Sequence, residues 1–202
     1  IRATGNGRLL LKLDLPLNKL EATKVAGNLQ FQNGQVTVMA DLPPLTQVNG
    51  RLEFSETGMN MRGITAQFLG GPITVNAQTL QAGGVGITAQ GTSAMQAVRR
   101  LVNLAALDHF SGSASWRSSI NVRPGVMDVT VDSSLQGIAI DLPAPFSKTA
   151  AESLPLRLDM SNGTDAETIK RFRGLRVPAK GDVLMLSLGN VPGRSVNALL
   201  AR

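Results

Sequence analysis

Apolar and polar residues alternate along most of this chain. Leu9, Leu11, Leu13 and Leu15 share one face of an extended segment, and Arg8, Lys12 and Asp14 share the other. The same two-residue period returns in Val36-Val38-Ala40, Ile64-Ala66-Phe68, Ile73-Val75-Ala77, Val85-Ile87-Ala89 and Met127-Val129-Val131. It closes with Leu154-Leu156-Leu158-Met160 and Leu184-Leu186-Leu188. Each run predicts a strand with one oily face and one wet face. Asn33-Gly34, Asn49-Gly50, Thr57-Gly58, Pro124-Gly125 and Asn162-Gly163 fall between or beside these runs. Asn and Gly accept the positive φ of tight hairpins, so these pairs predict turns. Roughly a dozen or more strands joined by short connections predict antiparallel meanders.

One stretch breaks the period. Met95, Val98, Leu101, Val102 and Ala105 fall at helical spacing, opposite Gln96, Arg99, Arg100 and Asn103. Thr92 and Ser93 supply a cap, which predicts an amphipathic helix over 94–107 packed on a sheet face. A second helical signal after Thr164 is weak, because Gly174 interrupts it. The chain divides on this reading into a β-repeat region (1–92), the helix (93–107) and a second β region continuous with the first (108–202). A short repeat supports extension by similar units. Gly27-Asn28-Leu29-Gln30-Phe31 is matched by Gly50-Arg51-Leu52-Glu53-Phe54 and more loosely by Gly112-Ser113-Ala114-Ser115-Trp116. Glycine at each start predicts a bend or bulge. The fold class is therefore mainly β, a twisted and curved antiparallel sheet forming an open groove or half-barrel, with one helix packed on it.

Composition narrows the function. The chain has 202 residues, 43% hydrophobic and 17% charged, with no Cys and one His, which excludes a disordered chain, thiolate metal sites and thiol nucleophiles. Its apolar runs fall short of the ~18 residues that cross a bilayer. It starts at Ile1 without a leader, and so reads as a piece of a longer or processed protein. The net charge of +6 is spread out except at Lys170, Arg171, Arg173 and Arg176, with Lys180 nearby. Only Phe172 interrupts that cluster, which is too little aromatic surface for nucleic acid. A solvated face explains the cluster most simply, and contact with an anionic lipid headgroup is the functional reading.

No catalytic set emerges. His109 stands beside Asp108, but no nucleophile elbow accompanies it, and a helix C-terminus explains it better. With one His and no Cys, no metal site is expected. Asp128 and Asp132 share a strand face with Thr130, as on a solvated surface. Gly83-Gly84-Val85-Gly86 resembles a phosphate loop only superficially, since no Gly-Lys-Ser/Thr follows. No cofactor is predicted.

From Gly50 to Lys148 the sequence resembles the AsmA-like proteins of the Gram-negative envelope, most closely their YhdP branch. The resemblance rests on Gly50-Arg51-Leu52-Glu53-Phe54, then Ala66-Gln67-Phe68-Leu69-Gly70-Gly71-Pro72, then Leu107-Asp108-His109-Phe110 through Trp116. Its most specific block is Ser133-Ser134-Leu135-Gln136-Gly137 running into Asp141-Leu142-Pro143-Ala144-Pro145-Phe146-Ser147-Lys148. The resemblance implies an internal periplasmic segment of an inner-membrane-anchored, bridge-like lipid transporter, with the anchor outside this segment. It implies no enzymatic activity. The implied partners are phospholipid and neighbouring β-repeats of the same longer chain, not nucleic acid. Physical chemistry fits that role: exposing a 16-carbon tail to water costs on the order of 12 kcal/mol, at ~0.8 kcal/mol per methylene. A path between membranes therefore keeps tails against apolar surface throughout. The expected lining residues are Leu52, Phe54, Ile64, Ala66, Phe68, Ile73 and Val75. The alternative is a structural or protein-interaction scaffold of the envelope whose core is filled by its own side chains.

Overall fold

Long alternating runs with few prolines give long strands, and here those strands join into one sheet. The computed structural model describes residues 2–14, 24–39, 42–81, 83–101, 105–143, 146–161, 183–191 and 194–201. The strands are β1 (Arg2–Asp14), β2 (Lys24–Thr37), β3 (Leu45–Ser55), β4 (Gly58–Phe68), β5 (Gly71–Thr79) and β6 (Val85–Ala94). They continue with β7 (Phe110–Arg123), β8 (Val126–Ser133), β9 (Ile138–Ile140), β10 (Leu156–Ser161), β11 (Val183–Val191) and β12 (Arg194–Ala201). All pairings are antiparallel, and the order is β1-β2-β3-β4-β5-β6-β7-β8-β10-β11-β12, with β9 paired to β7 off that path. Among the described residues no pairing joins β1 to β12, so the sheet is open.

The turn expectations separate into two groups. Glu56-Thr57 and Pro124-Gly125 are two-residue hairpin turns, closing Ser55 onto Gly58 and Arg123 onto Val126. Asn33-Gly34 and Asn49-Gly50 are not turns: β2 and β3 run straight through them. The positive φ serves instead at bulges, with Asn33 at 49° and Gln47 at 51°. Register shifts occur at Thr4/Asn6, around Gly34, between Thr46 and Leu52, and between Met61 and Ile64. Four successive strands thus carry irregularities, whereas β5 to β8 pair without one. Asparagines from the following strand satisfy the freed amides. Asn33 N donates to Asn49 Oδ1 at 2.9 Å, and Gly63 N donates to Asn76 Oδ1 at 2.8 Å. Asn162-Gly163 and the signal after Thr164 lie outside the described residues.

The expected helix over 94–107 is described in two pieces, the second of them a 3-10 turn. α1 spans Met95–Leu101, and a 3-10 helix spans Ala105–His109. Thr92 and Ser93 are not a cap, because β6 continues through Ala94, which pairs with Ser113. Ladder hydrogen bonds to β7 hold those residues extended, so the helix begins only after them. Met95 of α1 joins Ala114, Leu135, Ile138, Ile140 and Leu154 in one buried cluster. A second cluster of Val48, Ile64, Ala66 and Ile73 lies on the sheet face across β3 to β5.

The repeat finds a specific use. β2 and β3 are antiparallel, so its two copies pair with each other: Gly27 opposite Phe54, Leu29 opposite Leu52, Phe31 opposite Gly50. Gly27 faces the ring of Phe54, whereas the space at Gly50 is taken by Ile64 of β4. A Cβ on Gly27 would stand 2.5 Å from Phe54 Cζ, so the missing side chain is the space that the ring occupies. The aromatic of the looser third copy, Trp116, also stands in register with a glycine, Gly91 of β6, where Ile73 and Pro72 fill the space.

Candidate functional site: an apolar row across the sheet

Directly opposed residues of an antiparallel pair share a face, so register decides what that face offers. Following the pairings from β1 outward gives Leu9, Leu29, Leu52, Met61, Ala77, Ile87, Ile120 and Val129. The row continues at the register positions of Met160, Leu184 and Leu200. Every strand of the main path contributes one residue, and every one is apolar. At ~4.8 Å between strands, eleven strands carry this row for about 48 Å. The next row on the same face is Ile64, Val75, Ala89, Ser118, Val131 and Leu158, and the one beyond it is Ala66, Ile73, Gly91, Trp116, Ser133 and Leu156.

The opposite face is polar along the same strands. One of its rows reads Thr65, Thr74, Gln90, Arg117, Asp132, Arg157. Arg157 Nε donates to Asp159 Oδ2 at 2.9 Å and its guanidinium lies 3.5 Å from Asp132, while Thr130 Oγ1 donates to Asp159 at 2.6 Å. The hydrogen bond that Arg157 donates to Asp159 raises the Arg157 pKa above its ordinary value. Arg123 pairs with Asp128 at 2.9 Å. Asp128 and Asp132 do share a face, and each meets an arginine across or along the sheet. These pairs tie β8 to β10 and keep this face compatible with water. Among the described residues no group of His, Asp and Glu is arranged to hold a metal ion.

The expected lining residues all lie on the apolar face, at two depths. Ile64, Ala66 and Ile73 are buried, covered by Phe31, Leu45, Met61, Phe68 and Trp116 around them. Leu52, Phe54, Phe68 and Val75 are half-buried and reachable from outside. Toward β1 the face opens further: Leu9, Leu11 and Leu13 are 55%, 51% and 51% exposed. An open cleft of about 980 Å³ crosses β5 to β10, and most of its lining, including Thr74, Gln90, Thr92, Ser115, Arg117, Asp132 and Arg157, stands at positions of the polar face. Sequence reasoning missed Leu29, Ile87, Trp116, Ile120 and Val129 as members of the same surface. Their alternation was visible, but nothing local says which residue of one strand stands beside which residue of the next. Lys170, Arg171, Arg173 and Arg176 lie outside the described residues.

A family model described as YhdP protein matches residues 1–181. The chain belongs to the YhdP family. No curated protein matches this YhdP segment, and neither does any solved structure. Membership identifies the segment as part of an AsmA-like protein. It points to the Gram-negative envelope and to a lipid-transport-related role, and the family is not known for enzymatic activity. Among the described residues no helix is long and apolar enough to cross a membrane.

His109 ends the 3-10 helix and is exposed, and its carbonyl accepts from Asp141 N at 2.8 Å. Lys148 belongs to the most specific block of the resemblance. It is 5% exposed, and its Nζ donates to the carbonyls of Leu135, Ile138 and Thr149 at 2.9, 2.7 and 3.0 Å. Burial lowers its pKa below the usual 10.5, and Glu152 pulls it partly back. The lysine stitches the turn before β9 to the returning strand, beneath the cluster that carries α1.

Proposed function

We propose that this YhdP segment is a non-enzymatic, periplasmic stretch of a bridge between the inner and outer membranes, and that phospholipid tails travel along its apolar face. The observation that carries this reading is the unbroken apolar row, one residue per strand from Leu9 to Leu200. Its direction is across the strands, which is the direction in which such a sheet grows by adding repeats. Aliphatic side chains offer dispersion contact without hydrogen-bond preference, so a sliding tail meets no deep trap. The polar face, laced by the Arg157, Asp159 and Asp132 pairs, would then lie toward periplasmic water. The inner-membrane anchor and the neighbouring β-repeats belong to the longer chain in this reading. The burial of Ile64, Ala66 and Ile73 favours the scaffold alternative over that part of the face.

Photo-crosslinking separates the two. A benzophenone amino acid placed in the full-length protein at Leu52, Ile87 or Ile120 should give phospholipid adducts by mass spectrometry, and at Thr88 or Ser119 it should give none. Adducts absent from the apolar positions, or equal on both faces, would favour the scaffold.

A further inference from the structure

We infer that Trp116 is the residue against which an acyl chain is gauged as it crosses β6 to β8, with Ser93 holding the indole in position. The inference rests on the lipid-path reading and names a specificity-determining side chain within it.

Trp116 is the single indole of the chain. It stands on the apolar face of β7, in register between Gly91 of β6 and Ser133 of β8. Both cross-strand neighbours are small, so no bulky side chain shares its level on either adjacent strand. Gly91 has to stay small, since a Cβ there would come within 2.5 Å of both Ile73 Cγ2 and the Pro72 carbonyl oxygen. Ser133 turns its own hydroxyl to the backbone, donating to the Ser115 carbonyl at 2.7 Å and accepting from Leu135 N at 3.1 Å. It therefore offers the trough a low and internally satisfied floor.

The indole itself is anchored. Trp116 Nε1 donates to Ser93 Oγ at 2.8 Å, two residues along β6 from Gly91 and on the same face. An indole N–H in apolar surroundings requires a partner, and this bond supplies it while drawing the ring toward β6. The ring packs against the cluster around Ile73, whereas Leu156, beyond Ser133, packs against the cluster under α1. A rigid aromatic wall thus stands on one side of the small residue and an aliphatic wall on the other, where the two hydrophobic clusters approach each other. In the row of Trp116 the larger aliphatic residues, Ile73 and Leu156, yield by changing rotamer. A ring held by its N–H cannot yield in that way. The thickness of chain accommodated at this level therefore depends on Trp116 and on the bond that sets it.

The test uses the full-length protein purified with its bound lipid, and reads the acyl composition, not only the yield. Trp116→Ala should shift the composition toward longer or bulkier chains, by about fourfold per additional methylene accommodated. Ser93→Ala, which keeps the ring and frees it, should shift composition in the same direction by less, and Trp116→Phe should behave similarly. A benzophenone amino acid at position 116 should crosslink to acyl chain. Unchanged composition in folded Ser93→Ala and Trp116→Phe proteins overturns the inference, as does crosslinking at position 120 without crosslinking at 116. If neither 116 nor 120 crosslinks, the lipid path itself fails and this inference with it.

Discussion

A single buried ammonium shows how the outer part of this fold is secured. Lys148 has its three donors matched by three backbone carbonyls, so removing it leaves those oxygens without their cation. Hydrogen bonds to a charged donor each contribute more than neutral ones, and Lys148→Met should cost about 2–3 kcal/mol of stability, measured by urea unfolding. The same residue has a pH signature. Its pKa is lowered in the folded state, so the unfolded chain holds the proton more tightly between that lowered value and 10.5. Stability from this group therefore rises with pH across that window, and below it the burial penalty is present in full. The unfolding free energy of the wild type should climb relative to Lys148→Met as pH approaches 10.5. A falling difference would contradict the assignment. At Gly91 the argument is steric: the backbone carbonyl of Pro72 cannot move aside as a side-chain tip can. Gly91→Ala should cost about 1–3 kcal/mol through that overlap.

Among the elements, the contrast lies between the irregular pairing of β1 to β5 and the regular pairing of β5 to β8. Bulges add twist and bend the strand that carries them. Four successive pairings with register shifts concentrate that bending, which brings the side chains of Val48, Ile64 and Ala66 together on a face that no second layer covers among the described residues. Asn49 and Asn76 keep the amides of the bulges bonded. Asn76→Ala should cost about 1 kcal/mol, the usual net worth of one such bond, with faster amide exchange at Gly63 as its local marker. Unchanged exchange at Gly63 would show that the asparagine does not protect the bulge. The Gly–x–Leu–x–Phe repeat belongs to the same scale. Its two copies pair in register, and Gly27 leaves the space that the Phe54 ring occupies, while Ile64 of β4 fills the space at Gly50.

At the scale of the whole molecule the property that matters is continuity. A charge placed in the apolar row should interrupt it, whereas the same charge on the other face should not. Ile120→Asp should lower co-purified phospholipid at least severalfold, and Ser119→Asp should leave it unchanged, with circular dichroism confirming that both fold. The reason is that burying a carboxylate among aliphatic chains is unfavourable, while at position 119 water already solvates the site. An equal effect of both substitutions would show that the row is not the path. Open sheets also carry an edge cost. Among the described residues no strand pairs with the outer side of β1, and Leu9, Leu11 and Leu13 are more than half exposed. The isolated 202-residue segment should therefore self-associate as concentration rises, and Leu11→Lys should reduce that association in sedimentation velocity.

Much of this was legible in one dimension. Alternation marks strands such as β1, β4, β5, β6 and β8, because a period of two puts every second side chain on one face whatever lies beside it, whereas β7 and β12 have no such run in the sequence reading. The ordered motifs from Gly50 to Lys148 already pointed to the family. Asn33-Gly34 and Asn49-Gly50 were misleading because positive φ is shared by turns and bulges, and only the neighbouring strand decides between them. The start of α1 depended on ladder bonds from β7, which lie outside any local window. What the tertiary structure alone decided is register: that Leu9, Leu29, Leu52, Met61, Ala77, Ile87, Ile120 and Val129 stand in one line. Local patterning sets which face a side chain takes, but its neighbour on the next strand is set by hydrogen bonds between residues far apart in the chain.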